Sequence, residues 1–115
     1  MKIKLIPASK SDYPPRITKD LYEFYVDANM VGKVKLIPAG RGGWYLANFF
    51  VYKKYRNKGY GNFLMESILK LANQKKKKSI FLWTDAINKP AIAVYEKFGF
   101  KLVINDQVRM YLLIL

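Results

Sequence analysis

The stretch WYLANFFVYKKYRNKGYGNFLM, residues 44–65, sets an aromatic, β-prone run directly before a basic turn with two glycines and the start of an apolar helix. The run at 44–51 is typical of a buried strand. Where a strand leads through a glycine-rich turn into a helix, unpaired amides converge and the helix dipole favours negative charge. Gly59 and Gly61 would let phosphate oxygens approach the backbone without a Cβ in the way. The turn is therefore predicted to bind a pyrophosphate.

The charges on this turn support the same interpretation. Lys53, Lys54, Arg56 and Lys58 add positive potential on one short segment. The spacing excludes two common phosphate loops, because there is no Gly-x-x-x-x-Gly-Lys and Gly59-x-Gly61 lacks the third glycine of the dinucleotide fingerprint. An ordinary strand-to-helix turn with a solvated basic face is the alternative.

The composition limits the chemistry. A chain of 115 residues is expected to form one domain, 1–115, and 51% hydrophobic residues supply enough apolar surface for a core. Neither cysteine nor histidine occurs. Disulfides, thiol nucleophiles, Ser-His-Asp triads and zinc fingers are thereby excluded, and no metal site is expected.

The charge balance indicates an anionic partner. With 21 Lys and Arg against 8 Asp and Glu, the formal charge is +13, which favours polyanions, anionic membrane surfaces or a phosphorylated ligand. No run approaches the roughly 18 apolar residues of a membrane span, so a soluble, cytoplasmic protein with no membrane partner is expected. The KKKK tract at 75–78 is predicted to be a solvated helix C-terminus, with contact to a polyanion as the alternative.

The first half of the chain is predicted to be an antiparallel meander. Strands are expected at 2–7, 21–27, 33–37 and 44–51, joined by a five-residue hairpin connection at 28–32 and by AGRGG at 39–43. Pro14 and Pro15 discourage a helix between the first two strands.

The second half changes to helical spacing. A helix is predicted over about 61–77, then a buried strand at 79–84. Asn88 is the expected N-cap of a second helix with Pro90 in its first turn and Gly99 at its end. Strands at 100–104 and 108–115 flank a turn at Asn105 and Asp106. The order is β, β, β, β, α, β, α, β, β, an α+β class.

Two motifs carry a family resemblance. RNKGYG at 56–61 resembles the (Arg or Gln)-x-x-Gly-x-(Gly or Ala) signature of the GNAT acetyltransferases, and NKPA at 88–91 with AVYEKFGF at 93–100 resembles that family's N-x-x-A...Y-E-K-x-G-F segment. The resemblance implies a sandwich-like α+β fold with a mixed, mostly antiparallel sheet of about six to seven strands, strands 4 and 5 splayed apart, and two main helices. The two helices that usually follow strand 1 would be shortened or absent, since only residues 9–20 fill that place.

The resemblance also implies that acetyl-CoA binds as a co-substrate between the splayed strands. The backbone of Phe49, Phe50 and Val51 would pair with the pantetheine arm as an added strand does. Arg56 would shape the loop, and Asn88 would help to place the thioester. The residues that would surround the pyrophosphate are Asn57, Lys58, Gly59, Tyr60, Gly61 and Asn62.

Tyr95 is the general acid that the resemblance implies. A phenol with a pKa near 10 keeps its proton at neutral pH and can give it to the departing thiolate. The alternative is a core tyrosine, because Tyr95 shares an apolar helix face with Val94 and Phe98.

The sequence does not declare a general base. An amine must lose a proton to attack a thioester, yet the family's usual glutamate positions are occupied here by Trp83 and Tyr45. Asp85, just past the fifth strand, is the candidate base, with Glu23 and Asp27, predicted to share a strand face with Tyr25, as substitutes. A water relay also stays open.

The sequence thus predicts an N-acetyltransferase in which an amine acceptor attacks acetyl-CoA directly in a ternary complex. A non-catalytic coenzyme A binding module is one alternative. Another, less favoured, is a basic nucleic-acid-binding protein that uses Tyr52, Tyr55 and Tyr60 among its cations. The acceptor amine is not specified, and RMYLLIL at 109–115 could be an edge strand that a second copy covers in a homodimer.

Overall fold

A computed structural model describes residues 1–8 and 18–115 as a mixed seven-stranded sheet with two α-helices. This confirms the predicted α+β class. The shortened connection between the first two strands falls mostly on residues 9–17, outside the described residues. The strands are β1 (Ile3–Pro7), β2 (Leu21–Val26), β3 (Asn29–Ala39), β4 (Gly43–Val51), β5 (Ser79–Asp85), β6 (Lys101–Ile104) and β7 (Val108–Ile114), and the helices are α1 (Tyr60–Gln74) and α2 (Lys89–Lys97).

The sheet opens between its two central strands. The strand order is β1-β2-β3-β4-β5-β7-β6, with all pairs antiparallel except the parallel pair β4 and β5. That parallel ladder is short, because it runs from Gly43 opposite Ser79 to Tyr45 opposite Phe81. Both strands continue past this point without pairing to each other. The predicted splay of strands 4 and 5 is therefore confirmed.

A β-bulge interrupts β4 just where the gap opens. Lys33 lies opposite Phe50 and Lys35 opposite Ala47, so two residues of β4 face a single residue of β3. Asn48 takes the left-handed conformation at φ 53° that this extra residue requires. Phe49 consequently turns to the sheet face that carries the helices, and Phe50 turns to the opposite face, beside Lys33.

Both helices pack on one face of the sheet, called here the helix face. Leu64, Ile68 and Ala72 of α1 are fully buried against it, which confirms the helical spacing read from the sequence. The core on this face also includes Phe24, Val34, Leu36, Trp44, Leu46, Ile80, Leu82 and Tyr111. The opposite, second face carries Tyr45 stacked on Phe81 at 5.0 Å and a Trp83 that is 44% exposed.

The connection between β2 and β3 is tighter than predicted. β3 begins at Asn29, so the turn is made by two residues, and Asp27 adopts the left-handed conformation at φ 55°. Gly32 lies inside β3 and not in the turn. A Cβ at that position would collide with the carbonyl oxygen of Phe50, so close strand packing explains this glycine.

Two other predictions were wrong, one on where the first helix ends and one on where the C-terminal strand lies in the sheet. α1 ends at Gln74 and not at 77, because Lys76 leaves the helix at φ 56° and Lys77 lies over the ring of Trp44 at 5.3 Å. The RMYLLIL segment is not an edge strand, since β7 lies between β5 and β6. Neither described helix is long and apolar enough to cross a bilayer.

Candidate active site

The turn that the sequence singled out lines a cavity of about 510 Å³, called here the loop cavity. Three separate segments meet around it: the end of β4, the turn with the start of α1, and the start of α2. Every residue predicted to hold the cofactor lines this cavity except Lys58, whose side chain is exposed. The residues brought together are Phe49, Phe50, Val51, Arg56, Asn57, Gly59, Tyr60, Gly61, Asn62 and Asn88.

Gly59 leaves the backbone unobstructed where it lines the loop cavity. It precedes α1 in the left-handed conformation at φ 80°, and nothing lies within 4 Å of the position that a Cβ would take. No side chain caps the helix start. Because the first amides of a helix have no intrahelical acceptor, they remain available to an anion in the cavity.

Arg56 ties the turn to the strand that precedes it. Its Nε donates a hydrogen bond of 2.8 Å to the carbonyl oxygen of Val51. The guanidinium carbon also lies 5.1 Å from the ring centroid of Phe50, within the range of a cation–π contact. These contacts hold the turn in place beside the end of β4.

Two asparagines present polar side chains to the loop cavity. The Oδ1 of Asn62 is buried without a hydrogen-bond partner, which is unusual for a buried acceptor. Asn88 occupies the predicted N-cap position of α2, but its side chain makes no capping hydrogen bond, so the expected capping role is wrong. The Asn88 side chain is therefore not engaged as a cap, and the Asn62 Oδ1 lacks a partner.

A second cavity of about 290 Å³, the gap cavity, lies where β4 and β5 separate. It shares Phe49 and Asn88 with the loop cavity, so the two adjoin. Thr84 and Tyr95 reach it from the helix face, whereas Trp83 and Asp85 belong to the second face. Residues from both faces of the sheet thus line the gap cavity.

Tyr95 is both a core residue and a cavity residue. Its exposed fraction is 5%, and its ring packs against Phe49 at 5.7 Å, Phe100 at 5.9 Å and Tyr111 at 6.3 Å. Burial raises the pKa of the Tyr95 phenol from 10.0 to about 12. The phenol therefore keeps its proton throughout the neutral range. A place in the core and the predicted role as a general acid are compatible for this residue.

The candidate bases are not equivalent in the structure. Asp85 lines the gap cavity with Tyr95, and it is the one carboxylate among the described residues that do so. Glu23 accepts a 3.3 Å hydrogen bond from the Tyr25 hydroxyl, away from this cavity. Asp27 accepts the amide of Lys2 at 2.9 Å from the turn after β2, so it does not share the strand face predicted for it.

A third cavity of about 890 Å³, the lysine cavity, lies on the second face. It shares Asn48 and Phe49 with the gap cavity. Its lining residues are Leu21, Lys33, Lys35, Asn48, Phe49, Phe50 and Tyr52.

Sequence reasoning missed several residues of these cavities. Asn48 lies within an otherwise regular strand pattern, so its bulge carries no sequence signal beyond the tolerance of Asn for positive φ. Thr84 could have been found, since a polar residue ends the apolar run of β5. Pro90, Ala91 and Val94 face the turn from α2.

A known protein family is similar to this chain over most of its length. The model of the acetyltransferase (GNAT) family matches residues 7–100. No curated protein sequence matches the chain.

Solved structures share the fold. An IAA acetyltransferase from Bacillus cereus ATCC 14579 superposes with a TM-score of 0.75 at 16% identity, covering 99% of both chains. A GNAT family acetyltransferase from Elizabethkingia anophelis, solved with acetyl-CoA bound, gives 0.75 at 16% identity over 99% of this chain and 97% of that one. An acetyltransferase from Streptococcus agalactiae 2603 gives 0.70 at 25% identity over 83% of this chain and 66% of that chain.

Proposed function

Because this chain belongs to the acetyltransferase (GNAT) family, we propose that it transfers an acetyl group from acetyl-CoA to an amine acceptor by direct attack in a ternary complex. One observation carries the proposal. Residues from three separate segments surround the loop cavity, and this cavity adjoins the gap cavity that contains Tyr95 and Asp85. A diphosphate site and an acid–base pair are thus neighbours.

The loop cavity fits the polar part of acetyl-CoA. The uncapped start of α1 and the guanidinium of Arg56 offer donors and positive charge to a diphosphate. No carboxylate is present among the described lining residues to oppose that charge.

The free edge of β4 fits the pantetheine arm. Beyond Tyr45 this strand has no ladder with β5, so its backbone groups toward the gap can pair with the amides of an extended ligand. Acetyl-CoA supplies the activated acetyl group as its thioester. Phe49 and Asn88, which line both adjoining cavities, would guide the thioester toward Tyr95.

The residues of the gap cavity then have distinct roles. The acceptor nitrogen forms a bond to the acetyl carbon while the carbon–sulfur bond breaks. Tyr95 gives its proton to the leaving thiolate, and Asp85 takes the proton that the amine loses, directly or through water. Backbone amides of β4 polarise the thioester carbonyl. One proton is lost from the amine and one is gained by sulfur, so the charges balance.

A non-catalytic coenzyme A binding module is the second candidate. It is favoured by Trp83 and Tyr45, which occupy the positions where carboxylates are usual in the family. Trp83 is 44% exposed and Tyr45 is stacked on Phe81, and neither side chain carries a carboxylate to act as a base.

Two measurements test the proposal. Acetyl-CoA should raise the melting temperature, because a ligand that binds the native state stabilises it by mass action. Free thiol should then be released with time in the presence of an amine panel, and Tyr95→Phe should release it more slowly. A melting shift without amine-dependent thiol release would favour the silent binder, and no shift at all would contradict both candidates.

A further inference from the structure

We propose that the acceptor is a small amine that carries an anionic group, and that Lys33 and Lys35 of the lysine cavity bind this group. The proposal rests on the proposed acetyl transfer and specifies its substrate class. It places the amine in the gap cavity and the anion on the second face of the sheet. The amine and the anionic group would lie on either side of the bulge of β4.

The three cavities adjoin one another at shared residues. The loop cavity and the gap cavity share Phe49 and Asn88, and the gap cavity and the lysine cavity share Asn48 and Phe49. Acetyl-CoA is proposed to enter from the loop cavity on the helix face. An acceptor that entered from the same side would meet the cofactor, so the acceptor is placed on the second face, where the lysine cavity adjoins the gap cavity.

The charge of the lysine cavity selects the acceptor. Lys33 and Lys35 are half-buried and are two residues apart on β3, so their side chains leave the same face about 7 Å apart. No carboxylate lines this cavity among the described residues. Glu23 is the cross-strand neighbour of Lys33, but it holds the Tyr25 hydroxyl and does not line the cavity. Two cations without an acid in the cavity suit a carboxylate or a phosphonate.

Aromatic rings fix one of these cations and offer an apolar wall. The Nζ of Lys33 lies 6.0 Å from the ring centroid of Phe50 and 5.9 Å from that of Tyr52. Contacts of this length reduce the freedom of a lysine side chain. Phe50 and Tyr52 also pack edge to face at 5.2 Å, beside Leu21. The carbon chain between the amine and the anion can lie against this wall.

The volume of the lysine cavity suits a small molecule. The lysine cavity holds about 890 Å³, within the roughly 300–1,000 Å³ of small-molecule sites. The fitting class is an amine with its anion at the other end of a short chain. The experiment below varies the length of the carbon chain between the amine and the anion.

The experiment compares matched amines on the whole protein with acetyl-CoA. β-Alanine, 4-aminobutyrate, 6-aminohexanoate and 3-aminopropylphosphonate are each paired with the amino alcohol of the same length, and acidic and neutral peptides form a separate arm. At least one anionic amine should exceed its alcohol by about tenfold in kcat/KM, mainly through KM. The double variant Lys33→Gln/Lys35→Gln should remove that preference. Lys101→Gln, an exposed lysine on β6 at the far edge of the sheet, is the matched control and should keep it.

Equal or better rates with the alcohols would overturn the proposal, as would a preference that survives in the double variant. Acetylation confined to acidic peptides would also overturn it. If no amine is acetylated, the proposed function fails, and amide chemical shifts decide this inference separately. Shifts at Lys33 and Lys35 with the anionic amines and not with the alcohols, lost in the double variant, would still support the anion site. An absence of such shifts would refute it.

Discussion

The ring of Phe49 meets the ring of Tyr95 edge to face, with centroids 5.7 Å apart and planes at 73°. Phe49 follows the bulge of β4, and Tyr95 lies in the last turn of α2. The contact therefore joins the strand that is proposed to hold the pantetheine arm to the residue that is proposed to protonate the thiolate. It is one of the ring contacts that bury the phenol, and this burial raises the pKa of Tyr95.

Removal of the Tyr95 hydroxyl should slow the chemical step. Tyr95→Phe keeps the packing against Phe49, so acetyl-CoA should raise the melting temperature as much as in the parent. The turnover number should fall by about 100-fold, the lower part of the range for a lost general acid. Stopped-time thiol assays measure this, and an unchanged turnover number would show that another group protonates the thiolate.

The same residue should make the protein sensitive to alkali. The pKa of Tyr95 is 10.0 when exposed and about 12 when folded, so its contribution is fully present below pH 10 and is lost as the pH rises toward 12. Two pKa units correspond to roughly 3 kcal/mol of unfolding free energy. Urea unfolding measured between pH 9 and 12 should show that the free energy of unfolding falls more steeply with pH in the parent than in Tyr95→Phe. Parallel curves would contradict the burial of the phenol.

The two glycines of the turn should respond differently to alanine. Gly59→Ala forces a Cβ into the left-handed region at φ 80° and should lower the free energy of unfolding by about 1 kcal/mol. Gly61→Ala places its Cβ 3.7 Å from Val94, an ordinary contact inside α1, where alanine favours the helix. Gly61→Ala is thus the matched control, with equal or higher stability. The order of the two melting temperatures checks the prediction, and a reversed order would contradict it.

Replacement of Arg56 should weaken cofactor binding more than folding. Lysine at this position loses both the 2.8 Å hydrogen bond from Nε to Val51 and the stacking geometry over Phe50. Arg56→Lys should raise the dissociation constant of coenzyme A by about tenfold, as expected for a charge-assisted contact of about 1.4 kcal/mol. Titration calorimetry measures it. Lys54→Gln, on the same turn but outside the loop cavity, should change the constant little.

Substitution of Asp85 tests the proposed base. Asp85→Asn keeps the shape of the gap cavity but cannot take a proton, so kcat/KM at neutral pH should fall by about 100-fold. The loss should shrink as the pH rises toward the pKa of the acceptor amine, because the free amine then needs no base. If Asp85→Asn kept the parent activity at all pH values, solvent and not Asp85 would accept the proton that the amine loses.

Local patterns were enough for most of the fold. The periods of two and of about four residues located the strands and helices, and Gly99 ends α2 with φ 92° as its position predicted. The tight turn at Asp27 was missed because Asn29 and Gly32 seemed better suited to positive φ. Gly32 is instead required by the backbone of the adjacent strand, a contact distant along the chain.

The candidate site was predictable in part for the same reason. Gly59, Gly61 and Arg56 form a motif on one short segment, and the structure places them on one cavity. Lys33 and Lys35 carry no such signal, since alternating lysines on a strand are usually a solvated face. Their proposed role depends on the separation of β4 from β5, which is a property of the whole sheet.

The bulge at Asn48 has a consequence for how this strand can vary. Along a regular strand the parity of a residue number fixes the side to which its side chain points. One supernumerary residue reverses that parity, so Phe49 and not Phe50 reaches the side that carries the helices. Removal of Asn48 alone would leave one residue, Phe49, between the pairs Ala47–Lys35 and Phe50–Lys33, so the strand would become regular and both phenylalanines would keep their sides.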